Sequence, residues 1–269
     1  MKTICAISVS SAPIRSRSWS PAALFAGVAQ GAWYDPSDTS TLFQDTAATV
    51  PAINSGDPVG CILDKSGHDR HALQPVSANR PTLQFDGKAL ALLRFNGVNT
   101  GLTVAAFDPQ SDKVQCVAGL HKNSDTTVAI LAEFGVQMPY GAFYLTTSGI
   151  YSPEQGYGAA ILGVGSIRQV LYANPDLAAP VNSVVALNGD IAADNLSLRV
   201  DGSQVAQSAL PMSGGSFGAW PLDIGRRGNG NLHFDGDLYG LVLRFGTVQS
   251  TNMLPRTEHW MAQKTGVTL

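Results

Sequence analysis

The sequence predicts an all-β protein, on the evidence of its turn-rich composition, its scarcity of glutamate and its short apolar runs. The chain has 269 residues, 44% of them hydrophobic and 14% charged, with 28 glycines and 15 prolines. A chain of this length can bury a sizeable core, and frequent glycine and proline interrupt helices. Glutamate, a common helix-surface residue, occurs only at Glu133, Glu154 and Glu258.

The apolar runs begin near residue 31 and are separated by turn residues. They occupy residues 59–63, 82–85, 89–95, 114–120, 128–134, 142–146, 159–172, 184–187 and 196–200. Asp-Gly or Asn-Gly pairs follow four of them, at residues 86–87, 96–97, 188–189 and 201–202. Glycine accepts the positive φ of tight hairpin turns, so these pairs predict strand ends. Because no helical pattern separates the runs, they predict a sandwich of antiparallel sheets, with two strands in the run at 159–172.

One helix is predicted at the end of the chain, over residues 252–265. Met253 and Trp260 are seven residues apart, as are Leu254 and Met261, so the four lie on one stripe. Proline is tolerated in the first turn, and Gly266 suits the position just after the last turn. We expect this stripe to pack against the sandwich.

Residues 1–30 form a distinct N-terminal arm that precedes the domain of residues 31–269. The arm is rich in Ser, Ala and Pro and has too few large apolar residues to form a core alone. Its isolated charges and large apolar groups predict that it anchors to a surface, either that of its own domain or that of a partner. The anchoring residues are Arg15, Arg17, Trp19, Leu24 and Phe25.

Charge, hydropathy and cysteine content exclude several classes. The net charge of -3 gives no sign of the basic surface with which proteins bind nucleic acid. No apolar run approaches the roughly 18 residues of a membrane span, and the short N-terminal apolar stretch favours an uncleaved arm over a signal peptide. The three cysteines, Cys5, Cys61 and Cys116, cannot all pair. They favour free thiols in a chain folded in a reducing cytosol.

Three segments carry strand-and-turn motifs. The first, residues 92–97, ends in Phe-Asn-Gly, and the second, residues 196–202, ends in Val-Asp-Gly. The third has two parts: residues 222–225 end in Ile-Gly, and residues 234–243 begin with Phe-Asp-Gly and continue as an apolar strand. In this order they resemble the concanavalin A-like lectin/glucanase superfamily, in particular laminin G-like domains. The resemblance implies a jelly-roll sandwich of two antiparallel sheets.

A second resemblance spans the opening and the close of the domain. The segments at 31–38, 42–45, 57–60, 63–67, 71–72 and 257–267 resemble sandwich proteins encoded in tailed-phage and prophage virion modules. This implies a tail-fibre or tail-tip receptor-binding protein, assembled in the host cytoplasm and located in the virion. Its implied partners are other virion proteins through the arm, copies of itself in a homotrimer, and polysaccharide or protein on the host surface. The alternatives are a capsid or fibre-base decoration protein without a host-binding role, and a polysaccharide depolymerase.

The acidic residues argue against catalysis. Retaining glycosidases need two carboxylates about 5 Å apart, and the glucanases of the resembled superfamily supply them from a Glu-x-Asp-x-x-Glu strand. This chain lacks that motif, and no two of its three glutamates are close in sequence. We therefore expect a non-enzymatic protein with no catalytic residues.

Aromatic and basic residues in Gly/Pro/Ser-rich connections are the candidate ligand contacts, because binding groups are commonly mounted on loops. They are Tyr140, Tyr151, Tyr157, Trp220, Arg226 and Arg227. Core or subunit-interface packing is the alternative for the aromatics, and a solvated loop for the arginines. No cofactor is expected. Calcium would need several loop oxygens, and the densest group, Asp190, Asp194 and Asn195, has no EF-hand spacing, so no metal site is predicted.

Overall fold

The computed structural model describes residues 19–27, 29–149, 154–164, 167–246 and 253–269. Two antiparallel sheets pack face to face, and one α-helix lies near the C-terminus. The predicted fold class, a jelly-roll sandwich with a C-terminal helix, is confirmed.

The chain crosses between the two sheets several times, and up to four consecutive strands belong to the same sheet. Their bounds are β1 Gly31–Tyr34, β2 Leu42–Phe43, β3 Cys61–Ile62, β4 Ala72–Leu73, β5 Thr82–Phe85, β6 Ala91–Asn96, β7 Leu102–Phe107, β8 Lys113–Lys122, β9 Ile130–Phe134, β10 Ala142–Thr146, β11 Gly156–Leu162, β12 Ile167–Ala173, β13 Val181–Asp190, β14 Asn195–Val200, β15 Ser203–Ser208, β16 Trp220–Ile224 and β17 Asp235–Phe245. The eight-stranded sheet has the order β15-β14-β13-β8-β17-β6-β5, with β1 also pairing with β17. The nine-stranded sheet has the order β12-β11-β10-β9-β16-β7-β4-β3-β2.

The main core lies between the sheets and has aromatic rings at its centre. Phe134 of β9 lies 5.0 Å from Phe245 of β17 and 5.8 Å from Phe143 of β10, measured between ring centroids. All three are fully buried. Ring pairs at these separations add to the stabilisation that apolar burial provides.

Several predicted strands are confirmed, and one predicted turn is wrong. Strands β5 and β10 have the predicted bounds, and Asp201-Gly202, with φ of 48° and 77°, turns β14 into β15. The predicted turn at Asn188-Gly189 instead lies inside β13, paired with β8. A Cβ at position 189 would lie 2.0 Å from the Ile161 side chain of the other sheet. Glycine is needed there for the close approach of the two sheets, so it does not mark a turn.

The helix α1, Met253–Thr265, covers the outer face of the eight-stranded sheet. Leu254 and Met261 of its predicted stripe are buried against that sheet, and Gly266, with φ of 76°, follows its end. Within the described ranges, no helix has both the length and the hydropathy to cross a membrane.

Three of the predicted anchoring residues belong to the same outer cluster. Leu24 and Phe25 are buried in it, and Trp19 packs against it. Of the two alternatives for these side chains, the structure therefore places them on their own domain. Arg15 and Arg17 lie outside the described residues.

Candidate functional site

A line of polar side chains crosses the outer face of the nine-stranded sheet. Tyr144 of β10 is opposite Glu133 of β9, Glu133 is opposite Asp223 of β16, and Asp223 is opposite Thr103 of β7. Residues directly opposite one another project from the same face of a sheet. The adjacent Phe134 joins the core, so this line faces outward.

Two loops, here called the covering loops, lie over this line. One comprises residues 135–141 between β9 and β10, and the other comprises residues 225–234 between β16 and β17. A Cβ at position 228 would lie 2.8 Å from the carbonyl oxygen of Gly135. The absence of a side chain at Gly228 therefore lets the two loops close together, and Glu133 and Asp223 are only 0% and 2% exposed beneath them.

The covered acids form an acid–arginine cluster of Glu133, Asp223, Arg226 and Arg227. Glu133 accepts hydrogen bonds from the backbone amides of Gly228, at 2.7 Å, and Met138, at 3.2 Å. Its Oε1 lies 3.5 Å from Nε of Arg227. Burial raises the pKa of Glu133 from its ordinary value, while these amides and Arg227 act in the opposite direction.

Asp223 lies beside Glu133 and has a similar environment, with a hydrogen-bond donor and an arginine next to its carboxylate. The Thr103 hydroxyl donates to Asp223 Oδ1 at 2.6 Å, and Nε of Arg226 lies 3.4 Å from the same oxygen. Arg226 also donates from Nη2 to the Thr103 hydroxyl at 2.9 Å. Burial raises the pKa of Asp223, and Thr103 and Arg226 oppose that rise. Both acids therefore hold the second covering loop through its arginines.

Aromatic side chains lie next to this cluster. The indole Nε1 of Trp220 donates to the carbonyl oxygen of Tyr140 at 3.0 Å, which joins β16 to the first covering loop. Tyr140 itself is 64% exposed. Trp220 is partly buried in a small outer-face apolar cluster with Tyr144 and Leu232, and the Arg227 guanidinium lies 5.9 Å from the Tyr144 ring centroid.

The structure thus places four of the six predicted ligand residues on this side of the nine-stranded sheet, in β16 and the two covering loops, namely Tyr140, Trp220, Arg226 and Arg227. The placement of Trp220 in a connection is corrected, since it is the first residue of β16 and pairs with Phe107 of β7. The placement of Tyr157 in a connection is corrected as well, since Tyr157 lies in β11 with its side chain fully buried. Its ring lies 4.9 Å from the buried Lys122 ammonium, so it presents no surface to a ligand. Tyr151 lies outside the described residues.

Sequence reasoning missed Glu133, Asp223, Thr103 and Tyr144. A signal was present for the two acids, because each is a single charge inside an apolar strand segment. A charge buried in this way needs partners. The identity of those partners depends on strand pairing between residues 90 positions apart, which the sequence pattern does not contain.

The residues considered for calcium are occupied by other contacts. Asp190 Oδ2 lies 3.0 Å from Lys113 Nζ, Asp194 accepts from the backbone amide of Met212, and Asn195 accepts from the Gln207 side chain. Among the residues that the structure describes, no group of three or more His, Cys, Asp and Glu side chains could hold a metal ion.

Two clefts lie away from this face. One, of about 490 Å³, lies between Trp19 and the exposed side of α1, where Arg256, His259 and Trp260 line it. The other, of about 430 Å³, is lined by Asp125, Glu154, Gln155, Ala173, Asn174 and Pro175. None of the described ligand residues predicted from the sequence lines either cleft.

No protein-family model and no curated protein sequence matches the chain. Several solved structures have a similar fold. An arabinofuranosidase complexed with arabinofuranosyl-alpha-1,2-xylobiose is 15% identical with a TM-score of 0.55, over 77% of this chain and 51% of that chain. The binding domain of botulinum neurotoxin DC in complex with SialylT is 7% identical with a TM-score of 0.54, over 74% of this chain and 48% of that chain.

The binding domain of Paraclostridial Mosquitocidal Protein 1 is 11% identical with a TM-score of 0.54, over 79% of this chain and 52% of that chain. The matched region therefore spans about half the length of each of these chains. At such low identity the similarity concerns the fold alone. The chain has a β-sandwich fold that occurs both in a glycoside-cleaving enzyme and in toxin binding domains.

Proposed function

We propose that this is a non-enzymatic phage virion protein of the tail-fibre or tail-tip receptor-binding type, whose sandwich binds carbohydrate on the host surface. The observation that carries the proposal is the convergence of Tyr140, Trp220, Arg226 and Arg227 on the outer face of the nine-stranded sheet. The complexes of the arabinofuranosidase with an oligosaccharide and of the neurotoxin domain with SialylT support a saccharide ligand.

The chemistry of this face suits a sugar ring. A pyranose presents apolar C–H groups on its faces and hydroxyl groups around its edge, so it combines with an exposed aromatic ring and nearby hydrogen-bond donors. Tyr140 supplies the exposed ring, and the arginines supply planar arrays of N–H donors. Both covering loops are mounted on paired strands, which limits their movement before binding.

The virion part of the proposal rests on the segments that resemble phage and prophage proteins. In the structure the opening and closing segments contact each other: Lys264 Nζ lies 2.7 Å from Asp35 Oδ1, and the Trp33 and Trp260 rings meet edge to face at 5.8 Å. They therefore form one structural unit, which supports treating the resemblance as a single pattern. We place the particle contact in residues 1–18, with Arg15 and Arg17, and propose a homotrimer.

Binding of the full-length protein to a glycan array and to intact candidate host cells tests the proposal. Tyr140→Ala is expected to weaken binding by about tenfold or more, because it removes the exposed stacking ring. Ile53→Ala is the matched control, since Ile53 is equally exposed at 65% but lies on a different loop. If the wild-type protein bound neither glycans nor cells, or if both variants bound equally well, the proposed site would be wrong.

A depolymerase is the second candidate, and one observation favours it. Glu133 and Asp223 are directly opposite in register, a position in which Cβ atoms are about 4.5–5.5 Å apart, and retaining glycosidases use carboxyl groups about 5–5.5 Å apart. Both acids are closed to solvent here, so cleavage would require the second covering loop to open. Release of new reducing ends from host polysaccharide, abolished by Asp223→Asn, would replace the binding-only proposal.

A further inference from the structure

We infer that the ligand of this outer face is an uncharged saccharide, because the positive charges of Arg226 and Arg227 are already neutralised by Asp223 and Glu133 directly beneath them. The inference rests on the proposed function and narrows its ligand class. It follows from the charges of the acid–arginine cluster, the surroundings of its carboxylates and the groups that remain for a ligand.

The cluster contains two cations and two anions. Arg226 Nε lies 3.4 Å from Asp223, and Arg227 Nε lies 3.5 Å from Glu133. The carboxylates are buried, so solvent ions screen their field less than they screen exposed pairs. An acidic group on a ligand would gain attraction from an arginine and meet repulsion from the carboxylate just behind it.

The atoms around the two carboxyl groups favour their charged form. The contacts of Glu133 are the amides of Gly228 and Met138 and the guanidinium of Arg227, all of which are donors. Asp223 is contacted by the Thr103 hydroxyl, which donates to it, and by Arg226. The backbone amides and guanidinium groups can donate to these carboxyl groups but cannot accept a carboxylic acid proton, so they favour the charged form.

The groups left for a ligand are uncharged. The first covering loop, residues 135–141, contains no charged residue, and its exposed side chains include Val136 and Tyr140. The second covering loop exposes Asn229 and Asn231, whose amides can donate to and accept from hydroxyl groups. These are the contacts that a hydroxylated neutral ring would use.

The test compares matched saccharides on the full-length protein. An array presents pairs of saccharides, each consisting of a neutral oligosaccharide such as lactose and the same backbone carrying sialic or uronic acid. The pair that binds most strongly on the array is then titrated against the protein by calorimetry. We expect the neutral member to bind about tenfold tighter, with an affinity that changes less than about twofold between about 25 mM and 500 mM salt.

One isosteric variant should move the preference. Asp223→Asn retains an acceptor for the Thr103 hydroxyl but removes one buried negative charge. At low salt, the acidic saccharide should therefore bind this variant about fivefold more tightly than it binds the wild-type protein. At high salt that gain in affinity should be lost. Asp176→Asn makes the same change in net charge at an exposed position outside this face and should alter nothing. Circular dichroism verifies that both variants are folded.

The outcomes separate the inference from the proposed function. If wild type prefers the acidic member with a steep salt dependence, or if Asp223→Asn fails to gain acidic binding while folded, the neutral-ligand inference is overturned and carbohydrate binding stands. If no saccharide of either kind binds to the wild-type protein, the proposed function itself fails.

Discussion

On the outer face of the eight-stranded sheet, α1 and residues 19–27 lie on apolar side chains, whereas on the outer face of the nine-stranded sheet two loops lie on charged ones. The first contact joins Leu24, Leu254 and Met261 to Val117 and Val242. The second joins Arg226 and Arg227 to buried carboxylates. Both faces lose solvent contact, but by different chemistry.

The difference is consistent with the proposed binding role of the nine-stranded face. Apolar contacts stabilise without regard to direction, so α1 and the described arm residues act as a permanent cover. Buried ion pairs contribute less net stability, because desolvation offsets their attraction, but they fix donors in defined positions. The nine-stranded face therefore holds its loops in a defined geometry, at some cost in stability, while leaving Tyr140 exposed.

The largest effect is expected from breaking the apolar cover. Met261 is fully buried, and its sulfur and methyl group lie against β8 and β17 at Gly119 and Gly240. Met261→Ala should lower the free energy of unfolding by about 3 kcal/mol, through lost burial and the cavity that remains. Urea denaturation measures it. The exposed helix residue Gln263 provides the control, and Gln263→Ala should change the free energy by less than about 0.5 kcal/mol.

A smaller loss is expected on the polar face. Glu133→Gln keeps the shape of the side chain but offers a single acceptor oxygen where two backbone amides donate, so the free energy of unfolding should fall by about 2 kcal/mol. Because Arg227 loses its counter-ion in that variant, the double variant Glu133→Gln/Arg227→Gln should lose less than the sum of the single losses. Strictly additive losses would show that the ion pair does not couple the loop to the sheet.

The two faces also differ in how far the sequence predicted them. The helix stripe of Met253, Leu254, Trp260 and Met261 could be predicted because its periodicity is local, and α1 packs as expected. Tyr140, Trp220, Arg226 and Arg227 could be selected because loop composition is visible in the sequence. Their common location could not be predicted, since it depends on β9 pairing with β16.

Two errors have the same physical origin. Asn188-Gly189 has the composition of a turn, and Tyr157 is an aromatic residue flanked by glycines. In both cases the glycines are inside strands, where a close approach or a packed ring decides the structure. Local composition does not distinguish a glycine that permits a turn from one that permits tight packing between sheets.

The smallest effect expected is a pH dependence that only the polar face should show. Burial raises the pKa of Asp223 from its ordinary value of 3.8, so the folded protein binds this proton more tightly than the unfolded chain does. The contribution of Asp223 to stability is therefore fully present at pH values below its unfolded pKa. It decreases as the pH rises towards the raised folded value, and is constant above that value.

The difference in unfolding free energy between wild type and Asp223→Asn isolates this contribution, because the other carboxyl groups titrate in both proteins. That difference should fall as the pH rises above the ordinary Asp pKa of 3.8, as measured by urea denaturation at each pH. Asp176→Asn, at an exposed position, should give a flat difference over the same range. A difference that instead grew with pH would mean that Arg226 and Thr103 lower the pKa of Asp223 by more than burial raises it. The cluster would then contain a net stabilising ion pair, and the two faces would differ less in how they are stabilised.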